Sequence, residues 1–184
     1  ALITGEGTTL TITGDSSSYG GSFGGTVTVD YTGGGTFTLG NSDKTVALTP
    51  AASADATLKI SSGTLSLFSG NVNWSQKLVM GAGTTLTVQD GPAVSGYYNY
   101  DATSINGDGF TFSGAATFGT GVNLTTQYGK NIKFTGVLTA ASGFSISGAD
   151  SEYTYYTLTG TENQIGGTIA ITRNSTSLGI NASG

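Results

Sequence analysis

The chain has 184 residues, enough for one domain with a sizeable core, and we expect a single all-β repeat domain over residues 1–184. It contains 31 Gly, 2 Pro, no Cys and no His, which excludes disulfides, thiolate chemistry and His-based catalysis or metal binding. Six basic residues and a net charge of −5 argue against a nucleic-acid partner, because a backbone-binding face needs clustered Lys and Arg.

Polar and apolar residues alternate in short runs along most of the chain. The first clear run is Thr9-Leu10-Thr11-Ile12-Thr13, whose period of two predicts a half-buried strand. Between it and the next run, the segment 16–25 (SSSYGGSFGG) is low in complexity and is interpreted as a flexible loop. Further runs follow at 26–29, 36–39, 57–60, 64–67, 85–88, 110–112, 132–134, 144–146 and 168–171. Regular short strands flanked by Gly predict an all-β fold.

One short phrase occurs twice. Gly-Thr-Thr-Leu-Thr stands at 7–11 and again at 83–87, and looser versions lie between and after these copies. Such repetition favours a parallel β-helix, a solenoid in which each coil stacks on the next and satisfies its backbone hydrogen bonds. A β-sandwich of the pilin-like kind is the alternative, although its turns are usually richer in Asn-Gly, Asp-Gly and Pro.

The repeated phrases resemble a known family. GTTLTITG (7–14), GTLSLFSG (63–70), GAGTTLTVQDG (81–91) and GFSISG (143–148) resemble the strand repeats of autotransporter passenger domains and related bacterial surface β-helix proteins. The closing stretch, which begins YTYYTLTG (153–160), is similar to the ends of such passengers. The resemblance implies a right-handed parallel β-helix displayed outside the cell, with a role in adhesion, biofilm formation or a surface layer.

A solenoid has open strand edges at its ends unless they are capped. We expect the first strand to provide such a strand-edge contact through Leu10, Thr11, Ile12 and Thr13. The leading hypothesis is therefore a non-enzymatic, extracellular structural or adhesive protein. Its copies would join edge to edge into a fibre or pilus, so the expected partner is the protein itself, or glycans of a host or biofilm surface.

Two tyrosine clusters suggest an alternative function. Exposed aromatic rings can stack on sugar rings, which would make the protein a glycan-binding surface module. Aromatic residues are also ordinary strand residues, and in that interpretation Tyr156 joins the core. The candidate stacking residues are Tyr97, Tyr98, Tyr100, Tyr153, Tyr155 and Tyr156.

The sequence offers little for catalysis. Acid–base cleavage of polysaccharides needs two carboxyl groups held a short distance apart, and the only close pair is Asp150 and Glu152. We therefore expect no enzymatic activity, no cofactor and no metal. We also expect no membrane-spanning segment, because no apolar run approaches the roughly 20 residues that a membrane helix needs.

Overall fold

The protein is an all-β solenoid. The structure is a computed structural model that describes residues 2–20, 22–40, 55–68, 72–89, 109–126, 131–147, 154–172 and 176–180. The described strands are β1 (Leu2–Gly5), β2 (Thr9–Ile12), β3 (Ser16–Tyr19), β4 (Ser22–Gly25), β5 (Thr28–Tyr31), β6 (Thr36–Leu39), β7 (Thr57–Ile60), β8 (Thr64–Phe68), β9 (Val72–Trp74), β10 (Lys77–Met80), β11 (Thr85–Gln89), β12 (Gly109–Phe112), β13 (Ala116–Phe118), β14 (Asn123–Thr126), β15 (Asn131–Phe134), β16 (Leu138–Ala140), β17 (Gly143–Ser147), β18 (Thr154–Leu158), β19 (Gln164–Ile165), β20 (Thr168–Ile171) and β21 (Thr176–Ile180).

The strands form three faces that recur in chain order. Face 1 consists of a two-stranded sheet, β1-β4, and a five-stranded sheet in the order β9-β12-β15-β18-β21. Face 2 is a seven-stranded sheet in the order β2-β5-β7-β10-β13-β16-β19, and face 3 is a seven-stranded sheet in the order β3-β6-β8-β11-β14-β17-β20. We call each level of strands a rung.

Every pairing between the described strands is parallel. Examples are β2 with β5 on face 2 and β18 with β21 on face 1. The predicted parallel β-helix is therefore confirmed. The β-sandwich alternative is wrong, because the sheets of a sandwich are built from antiparallel strands.

Alternate residues of each strand point into one continuous core. On face 2, Leu10 lies in register with Val29, and Val29 with Leu58, which continues to Leu78 on β10. From Val29 onward these side chains are almost completely buried. The alternation in the sequence thus corresponds to inward and outward positions, as the period of two requires.

Aromatic residues connect successive rungs of face 1. The rings of Phe112 and Phe134 stack with centroids 5.0 Å apart. Phe23 on β4 meets Trp74 on β9 edge to face at 5.8 Å, so the core is continuous between the two sheets of this face.

Glycines with positive φ recur at the corner between faces 2 and 3. Of the two glycines that open the repeated phrase, Gly83 lies at this corner, whereas Gly7 lies between β1 and β2 at the corner between faces 1 and 2. Gly63 and Gly143 have φ angles of 78° and 73°; Gly63 directly precedes β8 and Gly143 begins β17, both on face 3. The same corner on other rungs is formed by Gly83, Gly121 and Gly167, which also have positive φ. Glycine is favoured there because residues with a side chain rarely adopt this backbone conformation.

The segment 16–25 is not the flexible loop that its composition predicts. It contains β3 and β4. The backbone of β3 pairs with β6, and Tyr19 stacks on Phe23 with ring centroids 5.1 Å apart. Pairing to a neighbouring rung therefore outweighs the low β-propensity of Ser and Gly, a tertiary effect that a local pattern does not carry.

Coil length varies without interrupting faces 2 and 3. Residues 40–56 separate β6 from β7, and residues 90–108 separate β11 from β12. Nevertheless, β5 pairs directly with β7, and β11 pairs directly with β14. Within the part of the chain described, no helix has the length and apolar character needed to cross a membrane.

Candidate assembly surfaces at the two ends of the solenoid

The first rung leaves core positions open at one end of the solenoid. Leu10 and Ile12 of β2 point inward, in register with Val29 and Tyr31 of the next rung. Val29 and Tyr31 are fully buried, whereas Leu10 is 41% exposed and Ile12 is half-buried. The exposure of Leu10 therefore results from its place on β2, the strand at the edge of face 2, which has a neighbouring strand on one side.

The opposite end repeats this arrangement. Ile171 of β20 lies in register with buried Ile146, and Ile180 of β21 lies in register with buried Leu158. Ile171 and Ile180 are nevertheless 51% and 59% exposed. They occupy inward positions that have a neighbouring rung on one side.

Large exposed apolar side chains are confined to these end rungs. Among the described residues they are Leu2, Leu10, Ile171 and Ile180. All four lie on strands of the first or last rung of their face. Leu10, Ile171 and Ile180 occupy inward positions, so the apolar interior reaches solvent at the two ends, whereas Leu2 points outward from β1.

The end strands also lack the features that usually block edge pairing. Natural edge strands are often protected by Lys, by Pro or by charged residues that point inward. None of β1, β2, β3, β19, β20 and β21 contains Pro or a charged residue. Within the described part of the chain, each of these strands pairs with a neighbouring strand on one side only, an arrangement that a further strand can extend.

The predicted strand-edge residues lie at this surface. Leu10, Thr11 and Ile12 belong to β2, and Thr13 follows it directly. Thr11 points outward in register with Asp30, so the inward members of the set are Leu10 and Ile12. That they contact a partner stays a prediction.

No contact role was predicted from the sequence for Ile171 or Ile180. The alternation at 168–171 was visible in the sequence, but the end position of β20 and β21 depends on strand pairing. No local signal shows which of many similar strands comes last in a sheet.

The tyrosine clusters are only partly described. Tyr97, Tyr98, Tyr100 and Tyr153 lie outside the described residues, as do Asp150 and Glu152. Tyr155 lies on β18, in register with Ser177 of β21. For these tyrosines glycan stacking stays a prediction.

Tyr156 is a core residue, as the alternative interpretation predicted. It is 1% exposed, so its ring face is not available to a sugar. Its hydroxyl donates a 2.6 Å hydrogen bond to the carbonyl oxygen of Ser147. Burial raises the pKa of this hydroxyl far above its ordinary value. Hydrogen bonds to Thr126 and Ser147 lower the pKa and oppose this larger effect.

One charged cluster lies on the outside of face 2. Lys59 donates a 2.8 Å hydrogen bond to one carboxylate oxygen of Asp30, and Ser61 donates a 2.7 Å bond to the other. These contacts join β5 to β7 and its following turn. In the described ranges no three acidic, His or Cys side chains lie close enough together to hold a metal ion.

Comparisons with known proteins found no relative of this chain. No protein-family model matches it, and neither the curated proteins nor the solved structures contain a significant match.

Proposed function

We propose that the protein is a non-enzymatic, extracellular structural protein whose copies assemble end to end through their strand edges. The observation that carries the proposal is the confinement of large exposed apolar side chains to the end rungs. A second copy would bury Leu10, Ile171 and Ile180 and would pair the outer backbone groups of the end strands.

The extracellular location is supported by composition and by resemblance. Only 9% of the residues are charged, and Thr, Ser, Asn and Gly replace the usual Lys and Glu. The strand repeats resemble those of autotransporter passengers and related bacterial surface proteins. An adhesive or biofilm role follows from the same resemblance.

Negative-stain electron microscopy of the purified chain at several concentrations tests the proposal. We expect unbranched filaments whose length increases with concentration. Seven rungs spaced about 4.8 Å apart give an axial repeat of about 34 Å per copy. Separate short rods at every concentration would contradict end-to-end assembly.

A further inference from the structure

The two ends of the solenoid are not flat. In chain order each coil passes from face 1 to face 2 and then to face 3, beginning with β1, β2 and β3. At the other end, β19 and β20 are followed by β21, which returns to face 1 and pairs with β18. Face 1 therefore extends one rung beyond faces 2 and 3.

This extra strand matters when a second copy is placed on the end. If β2 and β3 of the second copy stack on β19 and β20 of the first, the solenoid continues on faces 2 and 3. On face 1, however, β1 of the second copy then falls at the level that β21 of the first copy already occupies. Only one strand fits between β18 of the first copy and β4 of the second, since neighbouring strands are about 4.8 Å apart.

The side chains indicate which strand remains. The inward positions of β1 are Ile3 and Gly5, in register with Phe23 and Gly25 of β4. The inward positions of β21 include Leu178 and Ile180, in register with Tyr156 and Leu158 of β18. Two aliphatic side chains bury more apolar surface than one isoleucine and one glycine, so β21 fills the shared level better.

We propose that copies of this chain stack head to tail, with β19 and β20 pairing with β2 and β3 of the next copy, and that β21 displaces β1 from β4 of that copy. This inference rests on the proposed end-to-end assembly. A head-to-tail arrangement keeps every strand parallel across the junction and continues the apolar core. Such a contact is heterologous and does not close on itself, so it produces filaments.

The register of face 3 supplies a direct test. One column of outward residues runs from Ser16 on β3 through Thr36, Thr64, Thr85, Asn123 and Ser145 to Ala170 on β20. Its two end members are exposed, and they lie about 29 Å apart within one copy, six strand spacings. Across the proposed junction they are neighbours, at a spacing that a disulfide can bridge.

The chain has no native cysteine, so introduced pairs are unambiguous. We expect the Ser16→Cys/Ala170→Cys variant, oxidised under assembly conditions, to give a ladder of multimers on a non-reducing gel. The matched control is Ser16→Cys/Thr117→Cys, because Thr117 is outward and exposed on β13 in the middle of face 2, and we expect no ladder from it. Disulfide dimers from Ser16→Cys alone, without a ladder from the double variant, would indicate head-to-head contact and overturn the arrangement.

The displacement of β1 is tested separately by critical concentration. We expect removal of residues 1–5 to lower the critical concentration for filament formation by about tenfold, equivalent to about 1.4 kcal/mol. Ile3→Ser, which weakens the packing of β1 but keeps the strand, should shift the critical concentration in the same direction by less. A rise with both variants would mean that β1 stabilises the junction and would overturn the displacement.

Ile180→Asp places a charge on the inward face of β21. Because Ile180 is largely exposed in the single copy, we expect the variant to fold with an unchanged melting temperature at low concentration and to lose filaments completely. Thr117→Asp is the matched control and should still form filaments. Filament formation by Ile180→Asp would contradict a role for β21 in the junction.

Different results would contradict the proposed end-to-end assembly and the proposed head-to-tail register. If the unmodified chain forms no filaments, the proposed function itself fails. If filaments form but the Ser16→Cys/Ala170→Cys variant gives no ladder, end-to-end assembly stands and the head-to-tail register is wrong.

Discussion

At the scale of single residues, the glycine corner gives the sharpest prediction. Gly143 has a φ of 73°, and a Cβ atom there would collide with the carbonyl oxygen of Thr168 on the neighbouring rung. We expect Gly143→Ala to lower the free energy of unfolding by about 3 kcal/mol through combined strain and displacement. Gly34→Ala is the control, since a Cβ there meets no atom within 4 Å, and its effect should stay below about 1 kcal/mol. Denaturant unfolding measures both, and equal effects would refute the explanation.

The hydroxyl of Tyr156 gives a prediction about pH. Its pKa is raised in the folded state, so the folded protein holds this proton more tightly than the unfolded chain. The resulting stability is complete below the ordinary pKa of 10.0 and declines as the pH rises above it. We expect Tyr156→Phe to cost about 1–2 kcal/mol at pH 7, because the Ser147 carbonyl loses its donor, and to flatten the decline between pH 10 and 11.

Thermal unfolding at pH 7, 10 and 11 checks both effects. Tyr19, whose pKa is also raised by burial, remains in the variant and accounts for a residual slope. An undiminished alkaline decline in Tyr156→Phe would contradict the assignment to Tyr156.

At the scale of one element, β7 carries a core residue and a surface ion pair side by side. Leu58 points inward and is 1% exposed, and we expect Leu58→Ala to cost about 2–5 kcal/mol. Lys59 points outward to Asp30, and its side chain is 43% exposed, so Lys59→Ala should cost at most about 1 kcal/mol. Denaturant unfolding in low and high salt compares the two, and salt should affect the unmodified chain and Leu58→Ala equally. A larger loss for Lys59→Ala would reverse this ranking.

At the scale of the whole molecule, stability is shared between neighbouring rungs. In a solenoid each rung contacts only its neighbours, so end rungs open more readily than central ones. We expect amide hydrogen exchange in the dilute protein to be fastest in β2 and β20 and slowest in β10 and β11. After assembly, β2 and β20 should become protected while the central strands change little. Protection that increases uniformly would indicate lateral rather than end-to-end contact.

Much of the fold could be predicted from local sequence. The alternation of Thr9 to Ile12 and its later copies identified strands, and the recurrence of glycine-flanked phrases predicted a solenoid. The two identical copies of the phrase nevertheless lie on different faces, in β2 and in β11. The prediction was less accurate where strand pairing decides. The run at 26–29 overlaps only the first two residues of β5, which begins at Thr28, and the Ser- and Gly-rich segment 16–25 contains two strands.

The candidate site could be predicted only in part. Leu10 and Ile12 were predicted as contact residues from the run at 9–13, which the structure shows to be the second strand, after β1. Ile171 and Ile180 were not predicted as contact residues. The sequence by itself determined which residues face inward, because a period of two is a property of adjacent residues. Only the tertiary structure decided that there are three faces, that face 1 extends one rung further, and which apolar residues reach solvent. These features depend on hydrogen bonds between strands far apart in the chain, where near-identical phrases do not reveal their order in a sheet.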